Sequence, residues 1–156
     1  MQVKLLVRSD TPIAYLRHVG PYGSSLLAFW QQQVYPWMLT NNLLGRPRLG
    51  ICHDDPGITA PTQCRYDAGV EVPPELAVVG SHLRTVLPGG KVAALSFRGT
   101  AEETPGAWAS LLRDWLPASG LQLDARPFYE YYPEDARFDP ATGIFDCQLC
   151  APVKPL

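Results

Sequence analysis

The sequence has the pattern of an internal repeat, because matching residues recur about 80 positions apart. Trp30 and Trp108 lie 78 residues apart, and Trp37 and Trp115 are separated by the same interval. Offsets of 79 or 80 residues relate three further pairs, namely Gly20 and Gly99, Pro47 and Pro127, and Asp55 and Asp135. Two copies with so long a period do not make a solenoid. They predict a single domain, residues 1–156, built from repeats at about 1–72 and 81–156 that pack around a pseudo-twofold axis.

Composition and charge limit the classes of protein to consider. The 156 residues are 46% apolar and 18% charged, which is typical of a globular domain. The net charge is −2 and the thirteen basic residues form no run, so we expect no direct nucleic-acid binding. The N-terminus is too polar for a signal peptide, and no apolar stretch is long enough to span a membrane. Because four cysteines are also too few for a disulfide scaffold, a cytoplasmic location is predicted.

Local patterns predict the same order of elements, strand-strand-helix-strand-strand, in each half. The first half has strands at 2–8, 13–19, 48–53 and 65–72 and a helix at 25–40; the second has strands at 81–87, 91–97, 127–132 and 144–153 and a helix at 104–116. Pro36 is expected to kink or end the first helix near Tyr35, because proline lacks an N–H donor. The resulting fold class is α+β, with an antiparallel sheet of about eight strands and two main helices.

Glu130 is the residue that most favours a binding site. It lies in the segment Phe128–Tyr132, in which the other four side chains are aromatic. In a strand, Glu130 and Tyr132 share one face. A carboxylate among aromatic rings loses solvation, so it needs a partner, a raised pKa or a cationic ligand, and aromatic faces attract such a cation by about 0.5–2 kcal/mol. The alternative is an edge-strand glutamate that faces solvent.

Gly50 corresponds to Glu130 in the first repeat, because it lies 80 residues earlier. A missing side chain opposite a carboxylate would leave open space in an asymmetric pocket on the pseudo-twofold axis. The alternative is that this glycine only admits a bulge or close packing.

Two polar motifs could suggest a metal site, and neither has the pattern that such a site requires. Cys147 and Cys150 have the CxxC spacing, but positions i and i+3 of a strand face opposite ways. His53 and the two aspartates after it are followed by Pro56 and Gly57, a combination that is typical of a turn. We therefore expect small buried cysteines, a turn, no metal and no cofactor.

Six segments spread along the chain form a set that is characteristic of one family. They are Ala14–Tyr22 (AYLRHVGPY), His53–Pro56 (HDDP), Cys64–Val70 (CRYDAGV), Leu87–Ala93 (LPGGKVA), Trp115–Leu121 (WLPASGL) and Pro127–Glu130 (PFYE). Together they resemble the GyrI-like family, which includes the effector-binding domains of AraC-type regulators. The resemblance implies two strand-helix-strand-strand modules around a central groove. It also implies binding of small, often aromatic or cationic molecules, with Glu130 as the polar anchor.

The sequence is compatible with three functions. The first is a small-molecule binding module without catalysis; because the first strand begins at residue 2, no DNA-binding helix-turn-helix is expected before it. The alternative is a hydrolase of strained electrophilic small molecules with Glu130 as general base, since some GyrI-like proteins are similar to such enzymes. The third is a protein that engages a macromolecule such as gyrase, as the family name suggests.

The predicted ligand site is a groove at the junction of the two halves. Glu130 and Tyr132 would reach it from the second repeat, because they share a strand face. Trp37 and Tyr66 would reach it from the first repeat, although each could instead lie wholly in a core. The space beside Gly50 would be open to the ligand.

Overall fold

Nine antiparallel strands and two long helices make up the fold, in a computed structural model that describes residues 1–156. The strands are β1 (Val3–Arg8), β2 (Thr11–Val19), β3 (Arg48–Cys52), β4 (Arg65–Glu71), β5 (Leu83–Leu87), β6 (Gly90–Gly99), β7 (Leu121–Leu123), β8 (Phe128–Tyr132) and β9 (Phe145–Pro155). The predicted α+β class is confirmed. The strand missed by the sequence patterns is β7, whose three residues pair with the end of β9 and are too few to show a period. None of the helical segments has the length and apolar character needed to cross a membrane.

The main sheet has the same arrangement when it is read from either edge. Its strand order is β1-β6-β9-β8-β3-β4-β2-β5, so each strand of the first half has a counterpart from the second half at the equivalent position. The first strand of each half is exchanged, because β1 pairs with β6 and β5 pairs with β2. At the centre, β3 pairs with β8 and places Gly50 directly opposite Glu130. The sheet thus has pseudo-twofold strand order, while an internal duplication as its origin stays a prediction.

The first helix continues through residues 24–40. It begins as an α-helix (Ser24–Phe29), becomes a π-helix (Trp30–Val34) and ends as an α-helix (Tyr35–Thr40). Of the two expected effects of Pro36, an end of the helix near Tyr35 is wrong, and the α-helical pattern is instead interrupted by the π-helix just before the proline. The π turn shifts the hydrogen-bond partners by one residue just before the proline, which lets the helix continue although a donor is missing.

The second helix also changes register in its middle. A 3₁₀ turn (Ala101–Glu103) leads into an α-helix (Thr104–Ala109), a π-helix (Ser110–Trp115) and a final 3₁₀ turn (Leu116–Ala118). The two π segments begin 80 residues apart, at Trp30 and Ser110. Segments of this type occur frequently at functional sites.

Both helices pack on one face of the sheet. A row of directly paired residues crosses that face in the order Ala68, Gly50, Glu130, Leu149, Leu95. The Ala68 end belongs to the core cluster of the first helix, and the Leu149 and Leu95 end belongs to the cluster of the second helix. Gly50 and Glu130 consequently lie on the sheet between the two helices.

Candidate functional site

A cavity of about 860 Å³ lies between the two helices and the central strands. The first helix contributes Trp30 and the second contributes Trp108, while Glu130 and Tyr132 of β8 lie at the sheet. Sixteen of the thirty lining residues are hydrophobic. A mostly apolar concavity with a few convergent polar groups is the usual form of a small-molecule site.

Glu130 is the buried acid of this cavity. Its residue is 9% exposed, and its Oε1 atom accepts hydrogen bonds from the Tyr66 hydroxyl at 2.7 Å and the Tyr132 hydroxyl at 3.2 Å. The Trp30 indole N–H in turn donates to the Tyr66 hydroxyl at 3.0 Å. These donors all converge on one side of the carboxylate. The Oε2 atom makes no hydrogen bond to the protein.

Burial determines the ionisation of this cluster. Desolvation raises the pKa of Glu130, and the hydrogen bonds from Tyr66 and Tyr132 oppose that rise. The pKa values of both tyrosines lie well above the ordinary value, first because of burial and second because of the Glu130 charge. Both phenols therefore stay protonated and remain hydrogen-bond donors to the carboxylate.

Replacing Glu130 by glutamine is expected to stabilise the unliganded protein at neutral pH. The pKa of Glu130 is raised above 4.5 in the folded protein, so the folded state binds more protons than the unfolded state in the range above that value. The native protein therefore loses stability relative to the variant as the pH rises through that range. The measurement is thermal unfolding of both proteins from about pH 4 to about pH 8. The difference in stability between Glu130→Gln and the native protein should grow with pH. A difference that is constant over this range would contradict a raised pKa of Glu130.

Aromatic rings form walls on both sides of the cavity. The Trp30 ring contacts Tyr132 edge-on with centroids 5.9 Å apart, and it lies tilted against Tyr35 at 5.7 Å. On the other side, Trp108 stacks on Phe128 with centroids 5.7 Å apart and an interplanar angle of 18°. These faces can hold flat or cationic molecules through stacking and cation–π attraction.

The space beside Gly50 is filled, unlike the open space expected from the sequence. A Cβ atom at this position would lie 2.0 Å from the Tyr66 hydroxyl and 2.3 Å from Glu130 Oε1. The missing side chain is what allows these two groups to meet across β3. Gly50 therefore permits close packing, which was the alternative interpretation of this glycine. It lies beneath the hydrogen-bonded cluster and is not part of the cavity lining.

Trp37 lies away from the cavity. Its indole N–H donates to the Val79 carbonyl at 3.2 Å, and its ring is tilted against His82 with centroids 5.9 Å apart. It packs in the core cluster of the first helix and is absent from the cavity lining. Of the five residues predicted from the sequence, the structure brings together Glu130, Tyr132 and Tyr66 in the cavity, with Gly50 beneath them and Trp37 elsewhere.

Replacing Trp37 by phenylalanine is expected to leave ligand affinity unchanged and to destabilise the fold by about 1 kcal/mol through loss of one hydrogen bond. Trp30→Phe is the matched comparison, because it reduces the aromatic surface of a cavity wall and removes the donor to Tyr66. We expect it to weaken binding of an aromatic cation several-fold. Calorimetric titration and urea unfolding of both variants measure the two effects. Equal affinities for the two variants would contradict this assignment of the walls.

The turn at His53 is held by local hydrogen bonds. Asp54 pairs with Arg65 at 2.9 Å, and Asp55 Oδ1 accepts from the Gly57 amide at 2.8 Å. His53 Nε2 lies 2.7 Å from Asp67, whose carboxylate also accepts from Arg17. No group of three or more histidine, cysteine or acidic residues is arranged to hold a metal ion, and all four cysteines are free thiols.

The fold and this apolar, acid-centred cavity define a small-molecule binding domain. The sequence profile of the GyrI-like small molecule binding domain matches residues 1–154. The chain therefore belongs to the GyrI-like family, and the resemblance found in the sequence motifs is confirmed.

Relatives and solved structures of similar fold extend over the full length of the chain. A protein of Edwardsiella piscicida named DNA gyrase inhibitor is 30% identical over 159 residues and covers 99% of both chains. The C-terminal domain of EcmrR has the same fold with a TM-score of 0.75, at 14% identity over 99% of this chain and 98% of that one. SAV2435, solved with bound tetraphenylphosphonium, has a TM-score of 0.65 at 14% identity, over 99% of this chain and 94% of that one.

Proposed function

We propose that this protein binds aromatic cations reversibly in the cavity between its two helices, with Glu130 as the anchor. The observation that carries the proposal is a buried carboxylate with no cationic partner in the protein and one oxygen left unbonded. A cation placed against Oε2 would supply the missing partner. The rings of Trp30 and Tyr132 would then surround its apolar body.

Charge and shape act together in this proposal. A buried ion pair is favourable only when the geometry is good and the remaining groups are satisfied. The Tyr66 and Tyr132 hydroxyls already satisfy Oε1, so the site is preorganised before a ligand arrives. The volume of about 860 Å³ accommodates a ligand with several rings. Binding of tetraphenylphosphonium by SAV2435, which has this fold, is consistent with such a ligand class.

A pair of ligands that differ in charge tests the proposal. Methyltriphenylphosphonium is a cation, and triphenylphosphine oxide is a neutral molecule of similar shape and size. Calorimetric titration of the native protein is expected to show the cation binding at least about 10-fold more tightly. Equal affinities, or preference for the neutral molecule, would show that the cavity does not select positive charge.

A hydrolase is the second candidate, and the same carboxylate favours it. A glutamate whose pKa is raised by burial, with a free oxygen in a cavity, has the properties of a general base. The protein would be incubated with cyclopropane-containing electrophiles, and the products analysed by mass spectrometry. Addition of water that is lost in Glu130→Gln would favour the enzyme, and binding without turnover would favour the binding module.

A further inference from the structure

Two charged side chains of the cavity lining are shielded from solvent and have no partner of opposite charge, and their charges are opposite to each other. Glu130 forms no ion pair, and neither does Arg48 of β3. Both line the cavity. An unpaired charge in a partly desolvated site is unfavourable unless a ligand or water compensates it.

Most other charges of the lining are already engaged. Asp54 pairs with Arg65, and Asp55 accepts the backbone N–H within its own turn. Two arginines of the second half form ion pairs, Arg126 with Asp124 and Arg137 with Asp146. Arg113 is exposed to solvent, which compensates its charge. Glu130 and Arg48 are consequently the charges available to a molecule held within the cavity.

Aromatic contacts hold Arg48 in a defined position. Its guanidinium carbon lies 5.2 Å from the Tyr132 ring centroid and 5.8 Å from that of Tyr35, and one N–H donates to the Tyr35 hydroxyl at 2.6 Å. The remaining N–H groups make no hydrogen bond within the protein. A guanidinium fixed in this way can donate two parallel hydrogen bonds to a carboxylate with little further loss of side-chain entropy.

The sheet register places the two residues close together on one face of the sheet. Arg48 pairs directly with Tyr132, and Gly50 pairs with Glu130, so Arg48 and Glu130 are diagonal neighbours on the same face. The Cα atoms of diagonal neighbours on adjacent strands lie about 7–8 Å apart. Tyr132 lies between them, with its hydroxyl on Glu130 and its ring under Arg48.

We propose that the ligand is zwitterionic: an aromatic molecule whose cationic group meets Glu130 and whose carboxylate meets Arg48. This inference rests on the proposed function and adds a second, anionic requirement to it. A ligand with only a positive charge would be repelled by the fixed guanidinium, which weakens its attraction to Glu130. A ligand that carries both charges compensates both unpaired groups and leaves the cavity neutral.

Rhodamine B and its ethyl ester provide the test. Both have the same aromatic cation, but only rhodamine B carries a free carboxylate. Fluorescence anisotropy titration of the native protein is expected to show rhodamine B binding at least about 10-fold more tightly than the ester. In Arg48→Gln, which can still donate to the Tyr35 hydroxyl, this preference should vanish, and the affinity for the ester should be equal to or higher than that of the native protein. Arg98→Gln, an exposed arginine outside the cavity lining, is the control and should keep the preference.

The outcomes separate this inference from the proposed function. If the native protein binds the ester as tightly as rhodamine B, or if Arg48→Gln keeps the preference, the anionic subsite is wrong. The role of Glu130 as the anchor for the cation is tested separately with the ester alone. Glu130→Gln should bind the ester more weakly than the native protein does. If neither dye binds the native protein, both the proposed function and the inference fail.

Discussion

Glu130→Gln is expected to weaken the binding of methyltriphenylphosphonium by about 10- to 100-fold. Glutamine has nearly the same volume, and its amide oxygen can still accept from the Tyr66 and Tyr132 hydroxyls. The substitution therefore removes the charge with little change in shape. Affinity falls because the cation would enter a site of low dielectric constant without a neighbouring anion. Calorimetric titration at neutral pH measures the change.

Two controls assign that loss to the buried charge. Triphenylphosphine oxide is neutral, so its affinity should change little between the native protein and Glu130→Gln. Glu75→Gln removes the same charge from an exposed loop outside the cavity lining and should leave cation binding unchanged. If Glu130→Gln binds the cation as tightly as the native protein does, Glu130 is not the anchor.

The central part of the site could be predicted because it depends on short-range regularities. Strand alternation is a period of two, so Glu130 and Tyr132 must share a face once residues 128–132 form a strand. The 80-residue offset between Gly50 and Glu130 identified the pair that the register of β3 and β8 places directly opposite each other. Both predictions needed only the local pattern and the repeat.

The walls of the cavity could not be assigned in the same way. Trp30 and Trp37 both lie on the apolar face of one helix, and helical spacing alone does not separate a ligand contact from a core contact. The π segment at Trp30–Val34 changes the register between them, and no sequence pattern indicated it. The 78-residue offset does not separate them either, because it relates Trp30 to Trp108, which both line the cavity, and equally Trp37 to Trp115, which do not.

Long-range contacts account for the remaining differences. The space beside Gly50 is filled by Tyr66, which reaches it from the neighbouring strand β4, and strand pairing of this kind is not visible in the local sequence. Arg48 was not among the predicted site residues, because it stands out only by lacking an ion pair while lying over Tyr132. A missing partner becomes apparent only when the whole cavity is known.

Gly50→Ala is expected to destabilise the fold by about 1–3 kcal/mol, the range for overpacking a well-packed core. The added Cβ would lie 2.0 Å from the Tyr66 hydroxyl and 2.3 Å from Glu130 Oε1, so both groups have to move. Their displacement breaks the 2.7 Å hydrogen bond between them and leaves the buried carboxylate with one donor fewer. We therefore also expect loss of cation binding, because the anchor is no longer held in place. Urea unfolding and calorimetric titration measure the two effects.

Gly106→Ala is the matched control for the loss of a glycine. Gly106 lies in the α-helical segment Thr104–Ala109, and a Cβ atom there would meet no heavy atom within 4 Å. Alanine favours a helix over glycine by up to about 1 kcal/mol, so this variant should be slightly more stable than the native protein and should bind the cation equally well. Opposite signs of the stability change in the two variants would show that the effect at Gly50 comes from the crowded contact with Tyr66 and Glu130. If Gly50→Ala is as stable as the native protein and binds the cation equally well, then close packing at Gly50 is not what positions the carboxylate.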